Sequence, residues 1–157
     1  MLSSNKSATN RKRERGHAVL EFAIGWSVLW AIFAGVYQYG YAFYVYNRLM
    51  SAVSNAAELG SKITYDTGNA SAFTTTLQNM VLYADETAPS QNPSPIVSGL
   101  TSANVNVNVT LDAQGMPRDL TITIVDYTVS GFFNTITLNG KPRATTMYFG
   151  QVTCSTC

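Results

Sequence analysis

Few residues of this sequence combine the side-chain types and spacing that chemistry requires. The only histidine, His17, has no Ser-Asp or Cys partner within reach in the sequence. Asp85 and Glu86 are adjacent carboxylates, the kind of group used in general acid–base catalysis, but a pair at a helix end is more simply solvated. No glycine-rich segment follows a predicted strand as a phosphate-binding loop would. The sequence therefore predicts a protein that is not an enzyme and that uses no cofactor.

Metal and redox chemistry have equally little support. Asp112, Asp119 and Asp126 lack the spacing of a calcium loop. Cys154 and Cys157 are the only cysteines, and a thioredoxin-like motif needs a strand-to-helix context, while a metal site needs two more ligands. Outside the cytoplasm such a pair oxidises to a local disulfide, within the molecule or to a neighbour. We therefore predict a disulfide and no metal site.

The strongest signal is an acid, Glu21, at the start of a long apolar run. The run from Phe22 to Tyr46, about 25 residues, contains no Asp, Glu, Lys or Arg. As a helix it would be ~37 Å long, slightly more than the ~30 Å hydrocarbon core of a bilayer. A charge beside a membrane span is energetically costly. We therefore expect Glu21 to have an oppositely charged partner or a function.

The charges before this run predict its orientation. Residues 1–16 contain five basic residues and one acid, whereas the whole chain has a net charge of only +1. By the positive-inside rule the N-terminus stays in the cytoplasm and everything after Tyr46 crosses the membrane. Positive charge confined to one end does not indicate a nucleic-acid binder. The apolar run is also too long for a secretory signal peptide, and no A-x-A cleavage pattern closes it.

The helix is predicted to continue beyond the membrane as an amphipathic segment. Apolar residues recur after Tyr46 at steps of three and four, which is typical of a helix with one buried face. These positions are Leu49, Val53, Ala56, Leu59 or Gly60, and Ile63. We expect one helix from about Ala18 to about Tyr65, followed by a break at Asp66–Asn69 in which Gly68 is a plausible C-terminal cap.

The remaining residues predict a small α+β domain. A short helix is expected from about Ser71 to Ala84, capped by Asn69 or Ser71. Period-two alternation predicts strands at 104–111 and 119–130, with a third strand at 143–153 after an irregular connection. The fold class is thus α+β, with a small antiparallel sheet packed on the long helix. The domains are a basic leader (1–16), a long helix (17–66) containing the span 22–46, and an extracytoplasmic head (67–157).

Proteolytic cleavage after Gly16 would explain the position of Glu21. The cut removes the basic leader and leaves a helix that begins near His17, where a carboxylate interacts favourably with the helix dipole. Glu21 can also pair with the new α-amino group of a neighbouring subunit, which compensates a charge held in apolar surroundings. The small residues Gly25, Gly35 and Gly40 permit close helix–helix contact.

At these residues the sequence resembles a type IV prepilin, and more closely the TadE-like family of the Tad (Flp) pilus system. The resemblance rests on Gly16, on the pair Glu21-Phe22, and on an apolar span whose tyrosines run into an NRL-x-x-A-V-x-x-A-A helix. It implies cleavage between Gly16 and His17 by a prepilin peptidase, and an assembly role for Glu21 and Phe22. It also implies a minor pilin in a surface fibre used for adherence, first held in the inner membrane by a single pass.

The partners implied by the resemblance are other pilin subunits, the prepilin peptidase, and the inner membrane with the Tad secretion machinery. The alternative is a permanently anchored extracytoplasmic binding module that recruits a partner and never enters a fibre. The N-terminal residue of the mature protein distinguishes the two, because only the pilin begins at His17.

Overall fold

The structure is a computed structural model that describes residues 6–88, 94–131 and 134–153, with side chains from residue 17 onward. By its contacts the chain divides into an N-terminal unit, Met1–Gly40, and a head unit, Tyr41–Cys157. The α+β prediction is confirmed, because the structure has a long apolar helix, a second short helix and small antiparallel sheets. Cys154 and Cys157 lie outside the described residues, so the disulfide stays a prediction.

The long helix α1 extends over Lys6–Gly60 and includes 55 residues. It begins earlier than the sequence pattern predicted, because residues 6–16 are rich in Lys and Arg, which are good helix formers. It also ends earlier, at Gly60 instead of near Tyr65, so the expected cap at Gly68 is wrong. Two main-chain bonds continue the last turn: the N–H of Ser61 donates to Ala57 O at 3.0 Å, and that of Ile63 to Leu59 O at 3.1 Å.

The second helix, α2, extends over Ala70–Tyr83, close to its predicted bounds. Asn69 is its N-cap, and its side chain accepts a hydrogen bond from the N–H of Ala72. The helix ends at Ala84, which has a left-handed conformation with φ of 57°. Its buried face is formed by Phe73, Leu77, Val81 and Leu82, and Ala84 is exposed.

The described residues of the head unit form seven short strands in three sheets. Strand β2 (Val105–Leu111) pairs antiparallel with β3 (Pro117–Ile124), and β3 pairs antiparallel with β6 (Arg143–Met147). This sheet, with the order β2-β3-β6, is the predicted three-stranded sheet. The others are the hairpin of β4 (Tyr127–Ser130) with β5 (Thr135–Leu138) and the parallel pair of β1 (Tyr65–Asp66) with β7 (Val152–Thr153).

Two strand predictions were wrong in detail. The segment 119–130 is not one strand but is divided between β3 and β4 by Val125 and Asp126, and the latter has φ of 50°. A positive φ interrupts an extended strand, and the alternation of polar and apolar residues does not predict where one occurs. The segment after Gly131 was expected to be irregular, yet Thr135–Leu138 forms β5. The predicted strand 143–153 is also divided, into β6 and β7, which lie in different sheets.

The core of the head unit forms where the second half of α1 covers the three-stranded sheet, as predicted. From α1 it takes residues at helical spacing: Val45, Leu49, Ala52, Val53, Ala56 and Ala57. From β3 it takes Leu120, Ile122 and Ile124, each 0% exposed. Period two places these three on one face of β3, and α2 adds Leu77 and Val81 to the same cluster.

Residues 148–151 are hydrogen-bonded to the segment that follows α1. The N–H of Tyr65 donates to Gln151 O at 2.8 Å, and the N–H of Phe149 donates to Ser61 O at 2.9 Å. The hydroxyl of Tyr148 lies 2.7 Å from Ile63 O and 2.8 Å from Gln151 O, so one donor serves two carbonyls. Its ring lies at 6.4 Å and 6.5 Å from the rings of Tyr65 and Phe73.

Replacing Tyr148 with phenylalanine tests the role of its hydroxyl group. Tyr148→Phe keeps the ring packing but removes the donor to Ile63 O and leaves Gln151 O with only the N–H of Tyr65, so the head unit should lose about 1–2 kcal/mol of unfolding free energy. Tyr44→Phe is the matched control, because the Tyr44 side chain is exposed. Chemical unfolding of the full chain in detergent, followed by near-ultraviolet circular dichroism, measures both. An equal change in the two variants would contradict the assignment.

The same hydroxyl makes the stability sensitive to alkaline pH. Burial raises the pKa of Tyr148 above its ordinary value of 10.0. The folded state therefore holds this proton more tightly than the unfolded state does. The resulting stabilisation is complete below about pH 10 and is lost as pH rises through the raised pKa of the folded state. The Tyr148→Phe variant should lack this part of the alkaline loss.

Candidate functional site

The candidate site is the start of α1, where the predicted processing and assembly residues follow one another on the helix. Gly16 lies within α1, and His17, Glu21 and Phe22 are exposed on the same helix. His17 and Glu21 are four residues apart, so they lie on one side of the helix. The ring of Phe22 stacks on that of Trp26, with centroids 6.2 Å apart and planes at 19°.

Glu21 has no ion-pair partner among the side chains that the structure describes. The two ion pairs recorded there are Glu58 with Lys62, at 2.7 Å, and Arg118 with Asp119, at 3.6 Å. A carboxylate surrounded by exposed apolar residues is costly to place in lipid or in a helix interface unless it gains a partner. Within one copy of the chain, as far as its side chains are described, that partner is missing.

The apolar surface around Glu21 continues along about seven turns of α1, within which the polar Gln38 is buried, with 7% exposed. Every large apolar or aromatic side chain from Val19 to Tyr44 is exposed, with Phe22 at 71% and Tyr37 at 72%. A single helix in this region, His17–Gly60, is long and apolar enough to cross a membrane, and its most apolar window, with a mean hydropathy of 1.8, is 0% buried. A helix whose most apolar window is fully exposed is compatible with a membrane span.

The surface changes at Val45, which the sequence placed inside the span. Val45 is only 1% exposed and belongs to the core of the head unit, and Ala42 packs against the same core. The last residues of the predicted span 22–46 therefore also contribute to the head core, and the span itself stays a prediction. The signal was present in the sequence, because the spacing of Leu49, Val53 and Ala56 extends back to Val45.

The next turn of α1 carries the first charge after the apolar run. The guanidinium carbon of Arg48 lies 5.8 Å from the centre of the Tyr44 ring, and its Nη2 atom reaches Ile96 O at 3.5 Å. A cation over an exposed tyrosine ring is typical of the membrane–water interface, where one end of each side chain is apolar and the other is hydrated. The apolar surface thus ends with an aromatic and basic border.

The other carboxylates that the sequence brought to attention have structural roles in turns. One oxygen of Asp112 accepts the N–H groups of Gln114 and Met116, at 2.9 and 2.8 Å. Asp85 accepts the N–H of Thr87 at 3.0 Å. Within residues 6–88, 94–131 and 134–153, no three His, Cys, Asp or Glu side chains come close enough to bind a metal. Asp85 and Asp112 therefore stabilise turns of the head unit.

These features define a class of protein: an α+β head carried on the second half of a helix whose first half is exposed and apolar. Residues 16–58 match a family model described as TadE-like protein, which confirms the resemblance seen in the sequence. The match begins at Gly16 and covers about a quarter of the chain, all of it within α1. No curated protein and no solved structure matches the chain.

The match suggests a pilin-like protein associated with the Tad pilus. The single N-terminal apolar helix is compatible with a single-pass membrane protein of such a family. The strands and α2 lie after residue 58, outside the matched region.

Proposed function

We propose that this protein is a TadE-like minor pilin, processed by a prepilin peptidase and then built into a Tad/Flp-type surface pilus or used to initiate one. The observation that carries the proposal is the division of α1 into an exposed apolar half and a half buried in the head unit. A surface of that size needs lipid first and other apolar helices after assembly. An adhesive role of the fibre follows from the resemblance to the family.

Before assembly the protein is held in the inner membrane by a span shorter than the apolar run. Because Val45 and Ala42 belong to the head core, the span available to lipid is Phe22 to Tyr41. Those residues form a helix of about 30 Å, which matches the hydrocarbon thickness of a bilayer. The basic residues before Gly16 keep the N-terminus cytoplasmic, and the head unit lies on the other side.

Cleavage between Gly16 and His17 converts this anchor into an assembly element. It removes the basic leader and creates an α-amino group four residues before Glu21. In a staggered bundle of such helices, Glu21 of one subunit pairs with the α-amino group of the next, and Phe22 packs between helices beside it. The pairing supplies the partner that Glu21 lacks within the described part of one copy.

N-terminal sequencing of the protein from envelope fractions tests the proposal. We expect the mature chain to begin at His17, and Gly16→Leu to remain full length, because a bulky side chain there removes the small residue before the cut. Gly25→Leu is the matched control: it adds the same side chain to the same helix, at a position with no atom within 4 Å, and should be processed normally.

A mature chain that begins at Met1 would contradict the pilin proposal. It would support the alternative, a permanently anchored extracytoplasmic binding module. Equal processing of Gly16→Leu and the unchanged protein would instead place the cut elsewhere in the chain.

A further inference from the structure

We propose that the head unit pairs with a second copy of itself through the free edge of β2, so that two three-stranded sheets become one of six strands. The interaction surface is the main chain of Val107 and Val109, and its partner is the same segment of the second copy. The inference requires only two head units, so it does not depend on the pilus or on cleavage at Gly16.

The bonds around β2 show which side of the strand is free. On one side, Asn104 O accepts the N–H of Val125 at 2.9 Å, and Asn106 and Asn108 are opposite Thr123 and Thr121 of β3. In a strand the N–H and C=O of one residue point to the same side, and the side alternates from residue to residue. The even-numbered residues of β2 therefore bond to β3, and the odd-numbered residues point away from it.

On the side of β2 that faces away from β3, the main-chain groups of the first residue, Val105, have hydrogen-bond partners, and those of the later residues do not within the described chain. The N–H of Val105 donates to Ser102 O, and Val105 O accepts the Nε2 of Gln78 at 3.1 Å. For Val107 and Val109 the described residues provide no partner, since β2 pairs only with β3. Two N–H groups and two C=O groups are thus left to water along one short edge. Such an edge is a template for adding another strand.

The sequence of β2 lacks the features that usually protect an edge. VNVNVTL contains no charge and no proline, and its only irregularity is a bulge at its end, between Thr110 and Leu111. The opposite edge, β6, begins with the exposed Arg143, and just beyond it the N–H of Phe149 is occupied by Ser61 O. Charges and irregular ends discourage strand addition. The β2 edge is therefore the one that fits a partner strand.

A second copy of β2 fits this edge because the free groups are self-complementary. In an antiparallel pair related by a twofold axis, Val107 lies opposite Val109 of the second copy, and Val109 opposite its Val107. Each such pair exchanges two main-chain bonds, so all four free groups of each copy are satisfied. Shifting the centre to Val107 would use Val105, which is closed, and shifting it to Val109 would use Leu111, beyond the bulge.

The side chains agree with the same register. Val107 and Val109 are half-buried and pack against the core, so the two copies would extend one apolar face. On the exposed face, Asn108 lies directly opposite Asn108 of the second copy as a non-hydrogen-bonded pair. The Cα atoms of such a pair are about 4.5 Å apart, which is within the range that a disulfide can bridge. Asn106 would lie opposite Thr110 of the second copy.

Cysteine cross-linking tests the register in the full chain, purified in detergent with Cys154→Ser and Cys157→Ser. Asn108→Cys should form a disulfide-linked dimer under mild oxidation. The control Asn106→Cys, on the same exposed face, should form about fivefold less or none, because its two copies would be ~13 Å apart, beyond the limit of about 7 Å for a disulfide. Equal cross-linking at both positions, or none at Asn108, would overturn the proposal.

A charge exchange provides a second, reversible test. Asn108→Lys and Asn108→Asp each place like charges opposite one another in the pair, so each variant alone should be monomeric on size-exclusion chromatography in detergent. Mixing the two should restore a dimer that contains one chain of each, detected by different affinity tags. A mixture that gives no mixed dimer would overturn the twofold register, and pairing of β2 with β6 of another copy would give that result.

Discussion

Replacing Gly60 with valine is expected to lower the unfolding free energy of the head unit by about 3 kcal/mol. Gly60 ends α1 where α2 and β3 meet, and a Cβ atom there would overlap the Cδ2 atom of Leu120 and lie 2.9 Å from that of Leu77. Both leucines are fully buried, so neither can move without displacing other core residues. The glycine is needed for close approach, not for an unusual backbone angle.

Ser54→Val is the matched control for Gly60→Val. It places the same branched side chain in the same helix, but at an exposed position, where the cost should stay within about 0.5 kcal/mol. Chemical unfolding in detergent, followed by the near-ultraviolet circular dichroism of the buried tyrosines, measures the difference. Equal stabilities of the two variants would mean that the three elements do not meet tightly at Gly60.

Replacing Glu21 with alanine should leave the protein in the membrane and remove it from the fibre. In the proposed assembly the variant leaves the α-amino group of a neighbouring His17 unpaired among apolar helices, which costs ~3 kcal/mol or more. That cost corresponds to a loss of about two powers of ten in incorporation. The ratio of protein in the sheared surface fraction to protein in the membrane fraction measures the effect.

Glu14→Ala is the control for this experiment, because the cut after Gly16 removes residue 14 from the mature chain. It should enter fibres as well as the unchanged protein does. Fibres that contain the Glu21→Ala variant at the normal level would show that the carboxylate has no part in assembly. A variant that is missing from the membrane as well would point to a role in insertion.

The sequence predicted the parts of the fold that depend on periodicity over many residues. The apolar run and the spaced residues Leu49, Val53 and Ala56 predicted α1 and its buried face, and the alternation around Ile122 predicted the three-stranded sheet. The ends of helices and the interruptions of strands were harder to predict from the sequence. The end of α1 depends on Leu77 and Leu120, which approach Gly60 from other elements, and the bend at Asp126 is a property of one residue.

The candidate site was predictable in its residues but not in its limits. Gly16, Glu21 and Phe22 were recognisable from their order and from the resemblance they carry. The end of the exposed surface was harder to predict, because Val45 is as apolar as its neighbours in the run and only its helical spacing to Leu49 and Val53 connects it with the head core. The free edge of β2 could not be predicted from the sequence either, because which side of a strand is free depends on the strands that pair with it.

The parallel pair of β1 and β7 connects segments that are far apart in the sequence. Paired strands lie ~4.8 Å apart, so Val152 and Thr153 lie beside Tyr65 and Asp66, the segment that follows α1. Removing Val152 and Thr153 should therefore leave Tyr65 and Asp66 without their paired strand, so the segment that follows α1 depends on residues almost ninety positions later in the sequence.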